Sequence, residues 1–323
     1  MATVKIAFLT TMKKRAESII GMAPPGVEVT YVDNTLSDEE KLPLCRDADA
    51  FMVQPADVSM DLLKKCPNVK LIQTLSAGYD RLDLEAIGEM GIPVANNGGG
   101  NSIAVAEHAI ALMISVGKRL MLQWHTAVNQ REWRAGLQGL ELFEVTDKTV
   151  GIIGLGRIGK QVAKRLTGFD TRTIYYDVVD IPQEVQKDLK AEPVSLEELL
   201  RESDIVTLHV PLSRQTRAMI SDRELAMMKP TAFLISTCRG PVVDEKALYR
   251  GLVDGQIAAA GLDVLEAEPT SKGNPLFGLE NVTITPHMAG LTEEANERCA
   301  AFGYANIGRV VAGGAPESLV YPE

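Results

Sequence analysis

The stretch Thr149-Val150-Gly151-Ile152-Ile153-Gly154-Leu155-Gly156-Arg157-Ile158-Gly159 decides the reading of this chain. An apolar, β-rich run breaks directly into glycines spaced G-x-G-x-x-G. A helical pattern over residues 160–166 follows, and a second strand pattern, 173–176, ends on Asp177, 18 positions after Gly159. Each residue type has a physical task in binding a dinucleotide. Gly154 permits the tight strand-to-helix turn, Gly156 lets backbone approach a pyrophosphate with no Cβ in the way, and Gly159 lets helix pack close on strand. The helix N-terminus supplies oriented N–H groups and partial positive charge for the phosphates. Asp177 can accept hydrogen bonds from the adenosine ribose hydroxyls and would repel a 2′-phosphate, which points to NAD rather than NADP. The following Val178, Val179 and Asp180 offer no phosphate-binding cation.

At 323 residues the chain is long enough for two domains of ordinary size. A formal net charge of −10 disfavours nucleic-acid phosphates and anionic membranes as partners. Met1-Ala2-Thr3 leads straight into a strand pattern at Val4 rather than a secretory apolar core. The most apolar long stretch, 103–116, carries Glu107 and His108 and is too short to span a bilayer. Cys45, Cys66, Cys238 and Cys299 are scattered without ligand-like pairing, so a reducing cytoplasm is expected and no metal site.

Short apolar strand patterns alternate with helical ones from the first residues: 4–9, 27–32, 50–54, 70–74 and 93–96 as strands, 13–20, 60–66 and 82–90 as helices. Such alternation predicts a parallel sheet with helices on its faces. Asn97-Gly98-Gly99-Gly100-Asn101-Ser102 then punctuates the chain and reads as a hinge with backbone freedom and a helix cap. A mostly apolar helix is expected over 103–121, followed by a polar, Trp-bearing segment, 123–144. A second βαβ series fills 149–286, with strands at 149–153, 173–176, 205–209, 232–236, 259–262 and 282–285. A last helix, 292–311, returns after that sheet is complete. The fold class read from this order is α/β with two doubly wound parallel-sheet domains. Residues 1–100 are expected to form the first, joined by 291–323 if the last helix returns to it, and 101–290 the dinucleotide-binding second.

In open parallel sheets, ligands lie outside the carboxyl ends of the strands. The residues there are unusually chemical: Thr237-Cys238-Arg239-Gly240 after the fourth strand of the second domain, Asp263 after the fifth with Glu268 five residues on, and Thr285-Pro286-His287 after the sixth. Hydride transfer between a nicotinamide and a 2-oxo acid needs a general acid/base, and His287 is the candidate. Glu268 is suited to orient that ring and stabilise its imidazolium form. Arg239 supplies the planar, multidentate cation that a substrate carboxylate and its neighbouring carbonyl call for. Asp263 can accept from the nicotinamide carboxamide. His209, at another strand end, is placed beside the adenosine. His108 reads as structural, and Cys238 lacks a base or second thiol.

With these residues assembled, the chain resembles the D-isomer-specific 2-hydroxyacid dehydrogenase family along essentially its whole length. The matching motifs are L-S-A-G-Y-D (75–80), N-S-I-A-V-A-E-H-A (101–109), G-L-G-R-I-G (154–159), H-V-P-L (209–212), S-T-C-R-G-P-V-V-D-E (236–245), G-L-D-V-L-E-A-E-P (261–269) and T-P-H-M-A-G (285–290). The resemblance implies a flavodoxin-like substrate domain split around an inserted Rossmann NAD domain, with an active cleft between them. It also implies a homodimer built around 101–144. By position it implies Arg239, Glu268 and His287 as the catalytic trio and Asp263 as the nicotinamide partner. Ser76, Ala77 and Gly78 are implied as the loop binding the substrate carboxylate. Cofactor contacts are implied at Arg157, Ile158, His209, Val210, Pro211, Thr216, Thr237, Cys238 and Gly290. Ser236 stands where Asn is usual and Cys238 where a smaller residue is common, so both bear on how Arg239 is held.

The function expected is NAD(H)-dependent interconversion of a small 2-oxo acid and its D-2-hydroxy acid, with glyoxylate, hydroxypyruvate or pyruvate as the substrate type. A formate dehydrogenase shares the scaffold, but its His is accompanied by Gln, so Glu268 favours acid/base chemistry. A phosphoglycerate dehydrogenase is disfavoured by the short sequence after Val311. A dinucleotide-sensing corepressor or scaffold is disfavoured by the intact Arg, Glu and His. Met52, Val53, Gln54 and Tyr79 are expected to wall the substrate side-chain pocket.

Overall fold

The computed structural model describes residues 3–134 and 137–322. It divides into two compact units, one of chain up to Asn101 together with the chain from Leu291, the other Ser102–Gly290.

In the first unit, strands β1 (Val4–Thr10), β2 (Val27–Asp33), β3 (Ala50–Gln54), β4 (Ile72–Thr74) and β5 (Val94–Ala95) pair in parallel in the order β5-β4-β3-β1-β2. That is the 2-1-3-4-5 order of flavodoxin-like sheets. A final short strand, Leu319–Val320, runs antiparallel beside β5. It departs from the purely parallel expectation, and two residues at a sheet edge carry too little pattern to be read in advance. Every residue of β3 is buried, because the sheet is covered on both faces. Phe8, Met52 and Leu75 pack on one side with Tyr304 and Ile307 of the helix Glu293–Val311. Leu9, Phe51 and Val53 pack on the other. Met52 and Val53 are therefore 0% exposed core residues and not pocket walls, which corrects the sequence expectation. The helix Glu293–Val311 begins where Thr292 Oγ1 accepts from the Ala295 N–H, a cap of about 1 kcal/mol. It is tied to the sheet by Asn306 Nδ2 donating to Gln73 Oε1 at 2.7 Å.

The second unit contains β6 (Thr149–Ile153), β7 (Arg172–Tyr176), β8 (Ala191–Pro193), β9 (Ile205–Leu208), β10 (Phe233–Ser236), β11 (Ala259–Leu262) and β12 (Val282–Ile284). They form an all-parallel sheet in the order β12-β11-β10-β9-β6-β7-β8. This is doubly wound Rossmann topology, with the strand order reversing between β6 and β9. β8 was not legible: only Ala191 of its three residues is buried, since it lies at the edge. With it counted, the chemical residues follow the fifth, sixth and seventh strands of this unit.

The helix Ser102–Gly117 buries 11 of its residues, with Leu112 and Val116 against Gly261 of β11. It does not run on to residue 121 as expected. The Phe143 N–H donates to the Gly117 carbonyl at 2.8 Å, and Arg119 takes φ 48°, so the returning chain captures the helix end. A separate short helix, Leu120–Trp124, and a π-turn, His125–Asn129, follow. Of the expected dimer region 101–144, residues 135 and 136 lie outside the described residues. Among the described residues, no helix is long and apolar enough to cross a membrane.

Candidate active site

The glycine turn follows β6 and opens the helix Arg157–Leu166. Gly154 holds φ 93°, and a Cβ there would come 2.8 Å from the His209 carbonyl oxygen. A Cβ on Gly159 would come 2.1 Å from the Gly154 oxygen, so helix and turn touch backbone to backbone. A Cβ on Gly156 would meet nothing within 4 Å, so packing within the protein does not require glycine there. The N–H groups of Gly156 and Ile158 find no acceptor among the described residues, and the first turn of the helix has no acidic residue. These are the properties of an anion-binding helix start. Asp177 closes the turn from β7: its Oδ2 accepts from the Leu155 N–H at 2.7 Å and its Oδ1 from the Val179 N–H at 3.0 Å. Val178 is 86% exposed beside it.

The expected flanking residues gather around the same switch point. His209 follows β9, with Nε2 2.9 Å from Thr207 Oγ1 and Nδ1 buried without a partner among the described residues. Burial pushes its pKa down to about 3, so the ring is neutral. Val210 Cγ1 lies against the Gly154 turn, and Thr216 Oγ1 donates to the Pro211 carbonyl at 2.6 Å. Thr237 follows β10 with a buried hydroxyl that has no partner among the described residues. Cys238 is 8% exposed, and burial raises its thiol pKa despite contacts from Ser236 and the Arg239 backbone and charge. It is a core thiol rather than a nucleophile.

Beyond β10, β11 and β12 the three expected catalytic side chains come from separate loops. His287 Nδ1 lies 2.5 Å from Glu268 Oε2, and Nε2 has no partner among the described residues. The backbone of His287 sits at φ 55°, a conformation uncommon for a residue with a Cβ. Burial opposes ionisation of Glu268. The hydrogen bond and charge of His287, the Leu265 N–H and the charge of Arg239 outweigh it, holding the carboxyl below its ordinary value. Arg239 Nη1 donates to the Cys238 carbonyl at 2.9 Å, which orients the guanidinium. Asp263 is 1% exposed: Oδ1 accepts from Thr285 Oγ1 at 2.6 Å and from the Met288 N–H at 2.9 Å, while Oδ2 accepts from the Ala289 N–H at 2.9 Å. It holds the turn that runs from His287 to Gly290.

Two supporting residues were not singled out as candidates. A Cβ on Gly240 would come 1.8 Å from the Leu265 carbonyl oxygen, so only glycine lets the Arg239 loop lie on the Glu268 loop. Glu245 accepts from the Glu266 N–H at 2.9 Å and from Asn274 Nδ2 at 2.7 Å, pinning the Glu268 loop from below. Gly240 and Glu245 both lie in the 236–245 motif, but nothing local reveals what they face. In the first unit, Ser76, Ala77 and Gly78 form a turn after β4. Ser76 Oγ donates to the Gly78 carbonyl at 2.9 Å and Thr74 Oγ1 to the Ser76 carbonyl at 2.6 Å. The three backbone N–H groups meet no acceptor among the described residues. Gln54 is 5% exposed, its Oε1 without a partner among the described residues, and Tyr79 packs half-buried on the core.

Residues 110–289 match the family described as D-isomer specific 2-hydroxyacid dehydrogenase, NAD binding domain. The chain belongs to this family. A glyoxylate reductase of Thermococcus litoralis is 40% identical over 281 residues, 85% of this chain and 84% of that protein. A D-3-phosphoglycerate dehydrogenase of Methanocaldococcus jannaschii is 40% identical over 288 residues, 88% of this chain but 54% of that longer protein. The crystal structure of a D-lactate dehydrogenase with NAD+ from Lactobacillus jensenii superposes with a TM-score of 0.82 at 25% identity, over 99% of this chain and 100% of that one. This dehydrogenase is thus an NAD-dependent oxidoreductase of 2-hydroxy acids. Its glycine turn fits that cofactor: an open Gly156, donor groups without acceptors, and a carboxylate rather than a cation at the end of β7.

Proposed function

We propose that this dehydrogenase interconverts a small 2-oxo acid and its D-2-hydroxy acid, with glyoxylate and hydroxypyruvate the first candidates, using Arg239, Glu268 and His287 as its catalytic groups. The observation that carries the reading is the His287–Glu268 pair, 2.5 Å apart at Nδ1, with Nε2 left for substrate. A bound nicotinamide would supply or take the hydride. In the reducing direction His287 Nε2 gives a proton to the oxygen that was the carbonyl, and Glu268 holds the ring and balances the imidazolium charge. Arg239 grips the carbonyl and carboxylate oxygens. The donor turn Ser76-Ala77-Gly78 is assigned to the substrate carboxylate, since its N–H groups form a small anion nest. Asp263 Oδ2, with one hydrogen bond from the chain, keeps a lone pair for the nicotinamide carboxamide.

Arg157, Ile158, His209, Val210, Pro211, Thr216, Thr237, Cys238 and Gly290 are assigned to the cofactor cradle. Asp177 is assigned to the ribose hydroxyls. Self-association through 101–144 is supported by exposed Met121, Trp124, Val128, Trp133 and Leu142. Four unpaired cysteines suit a cytoplasmic setting.

The test is NADH oxidation across glyoxylate, hydroxypyruvate, pyruvate and 3-phosphohydroxypyruvate. Turnover of a small unphosphorylated acid is expected. Turnover of the phosphorylated one alone would move the assignment to phosphoglycerate chemistry. Tight NADH binding without reduction of any member would replace it with a non-catalytic sensor.

A further inference from the structure

His108 stands outside the catalytic trio, on the helix Ser102–Gly117, yet its side chain reaches the end of β12. Its Nε2 lies 2.8 Å from Thr285 Oγ1 and 3.5 Å from Asp263 Oδ1. Thr285 has one hydroxyl proton, and it is donated to Asp263 Oδ1 at 2.6 Å. The bond to His108 must therefore run the other way, with Nε2 carrying the proton and Thr285 accepting. His108 also places a side chain able to carry positive charge within 4 Å of the Asp263 carboxylate. A buried carboxylate depends on such partners.

Asp263 in turn holds three consecutive amides. His287 N–H donates to its main-chain oxygen at 2.8 Å, Met288 N–H to Oδ1 at 2.9 Å and Ala289 N–H to Oδ2 at 2.9 Å. The His287 backbone, at φ 55°, sits in a region that persists only when its surroundings over-determine it. We infer that His108 is a positioning residue: through Thr285 it fixes the rotamer of Asp263, and Asp263 fixes the backbone that aims His287. The inference rests on the reading of His287 as the acid/base. It accounts for a histidine whose partners among the described residues are a threonine and an aspartate of the catalytic loops.

Three single variants, one double variant and three readouts test it on the whole chain. His108→Phe removes the donor. His108→Gln restores an N–H at about the reach of Nε2, and Thr285→Val cuts the middle of the relay with little change of shape. His108→Phe and Thr285→Val should each lower kcat for glyoxylate about 10- to 100-fold, a larger factor than any accompanying rise in the NADH Kd through Asp263. His108→Gln should stay within about threefold of wild type, and the double variant His108→Phe/Thr285→Val should be no worse than Thr285→Val alone. Amide exchange at Met288 and Ala289 should quicken at least about tenfold in His108→Phe and not in His108→Gln. Wild-type kcat and amide protection in His108→Phe, equal damage in His108→Gln, or additive losses in the double variant would overturn the relay. Should His108→Phe fail to fold, Thr285→Val decides. Should wild type reduce no 2-oxo acid, the assigned reaction fails, while amide exchange still decides the relay.

Discussion

The α-carbon of Gly240 and the carbonyl oxygen of Leu265 are so close that a Cβ on Gly240 would stand 1.8 Å from that oxygen and 2.5 Å from the Glu266 nitrogen. The contact lays the loop after β10 on the loop after β11, bringing the Arg239 charge to bear on Glu268. Gly240→Ala must therefore push one loop away. It should lower kcat by about 100-fold or more and also lower Tm, because overpacked backbone costs about 1–3 kcal/mol. Thermal unfolding and steady-state kinetics on the same preparation check it, and near-normal values in both would contradict the contact.

Gly156 makes the opposite case. Nothing of the protein lies within 4 Å of its would-be Cβ, so Gly156→Ala should leave Tm within about 2 °C of wild type. NADH affinity should fall about tenfold or more if, as proposed, the pyrophosphate passes over this glycine. Isothermal titration with NADH against a melting curve separates the two effects. Loss of stability with unchanged affinity would reverse the assignment.

Asp177 has two tasks that a substitution separates. Its Oδ2 holds the Leu155 N–H at 2.7 Å, so it shapes the glycine turn as well as standing where ribose hydroxyls are expected. Asp177→Ser with Val178→Arg should raise the ratio of NADPH to NADH use, since a repelling charge is replaced by an attracting one. It should also weaken NADH more than loss of a ribose contact alone, about 1.5–3 kcal/mol. An unchanged cofactor ratio would remove Asp177 from cofactor choice.

Stability should depend on acid through His209. Burial holds its pKa at about 3 in the folded chain, against about 6.5 when unfolded. Between those values the unfolded chain binds a proton that the folded chain does not, so stability is fully present above about pH 6.5 and declines as pH falls. The slope from this one group is about 1.4 kcal/mol per pH unit. His209→Gln should flatten the pH dependence of urea unfolding free energy between about pH 6 and pH 4 by that amount. An unchanged slope would place the His209 ring in solvent.

The parallel-sheet architecture was legible because its signals are local: buried β strands such as Thr149–Ile153 and Ala259–Leu262 are apolar runs, and the glycine turn carries its spacing on its face. The candidate site was legible in its chemical residues, because strand ends in a parallel sheet converge whatever their separation in sequence. Arg239, Glu268 and His287 could be named that way. What they lean on could not. Gly240 is required by an oxygen 25 residues on, and His108 by a hydroxyl 177 residues on. The helix Ser102–Gly117 ends on a glycine whose carbonyl is taken by the Phe143 N–H, a partner 26 residues on. Met52 and Val53 are core residues instead of pocket walls because both faces of their strand are covered, which nothing in the strand itself reveals.

The central claim is that His287, oriented by Glu268, exchanges the proton that accompanies hydride transfer. Its most direct measurement is kcat for glyoxylate or hydroxypyruvate in His287→Ala, taken beside the NADH Kd of the same variant. The account predicts that kcat falls about 10²- to 10⁴-fold while Kd stays within about threefold. A kcat within twofold of wild type would contradict it.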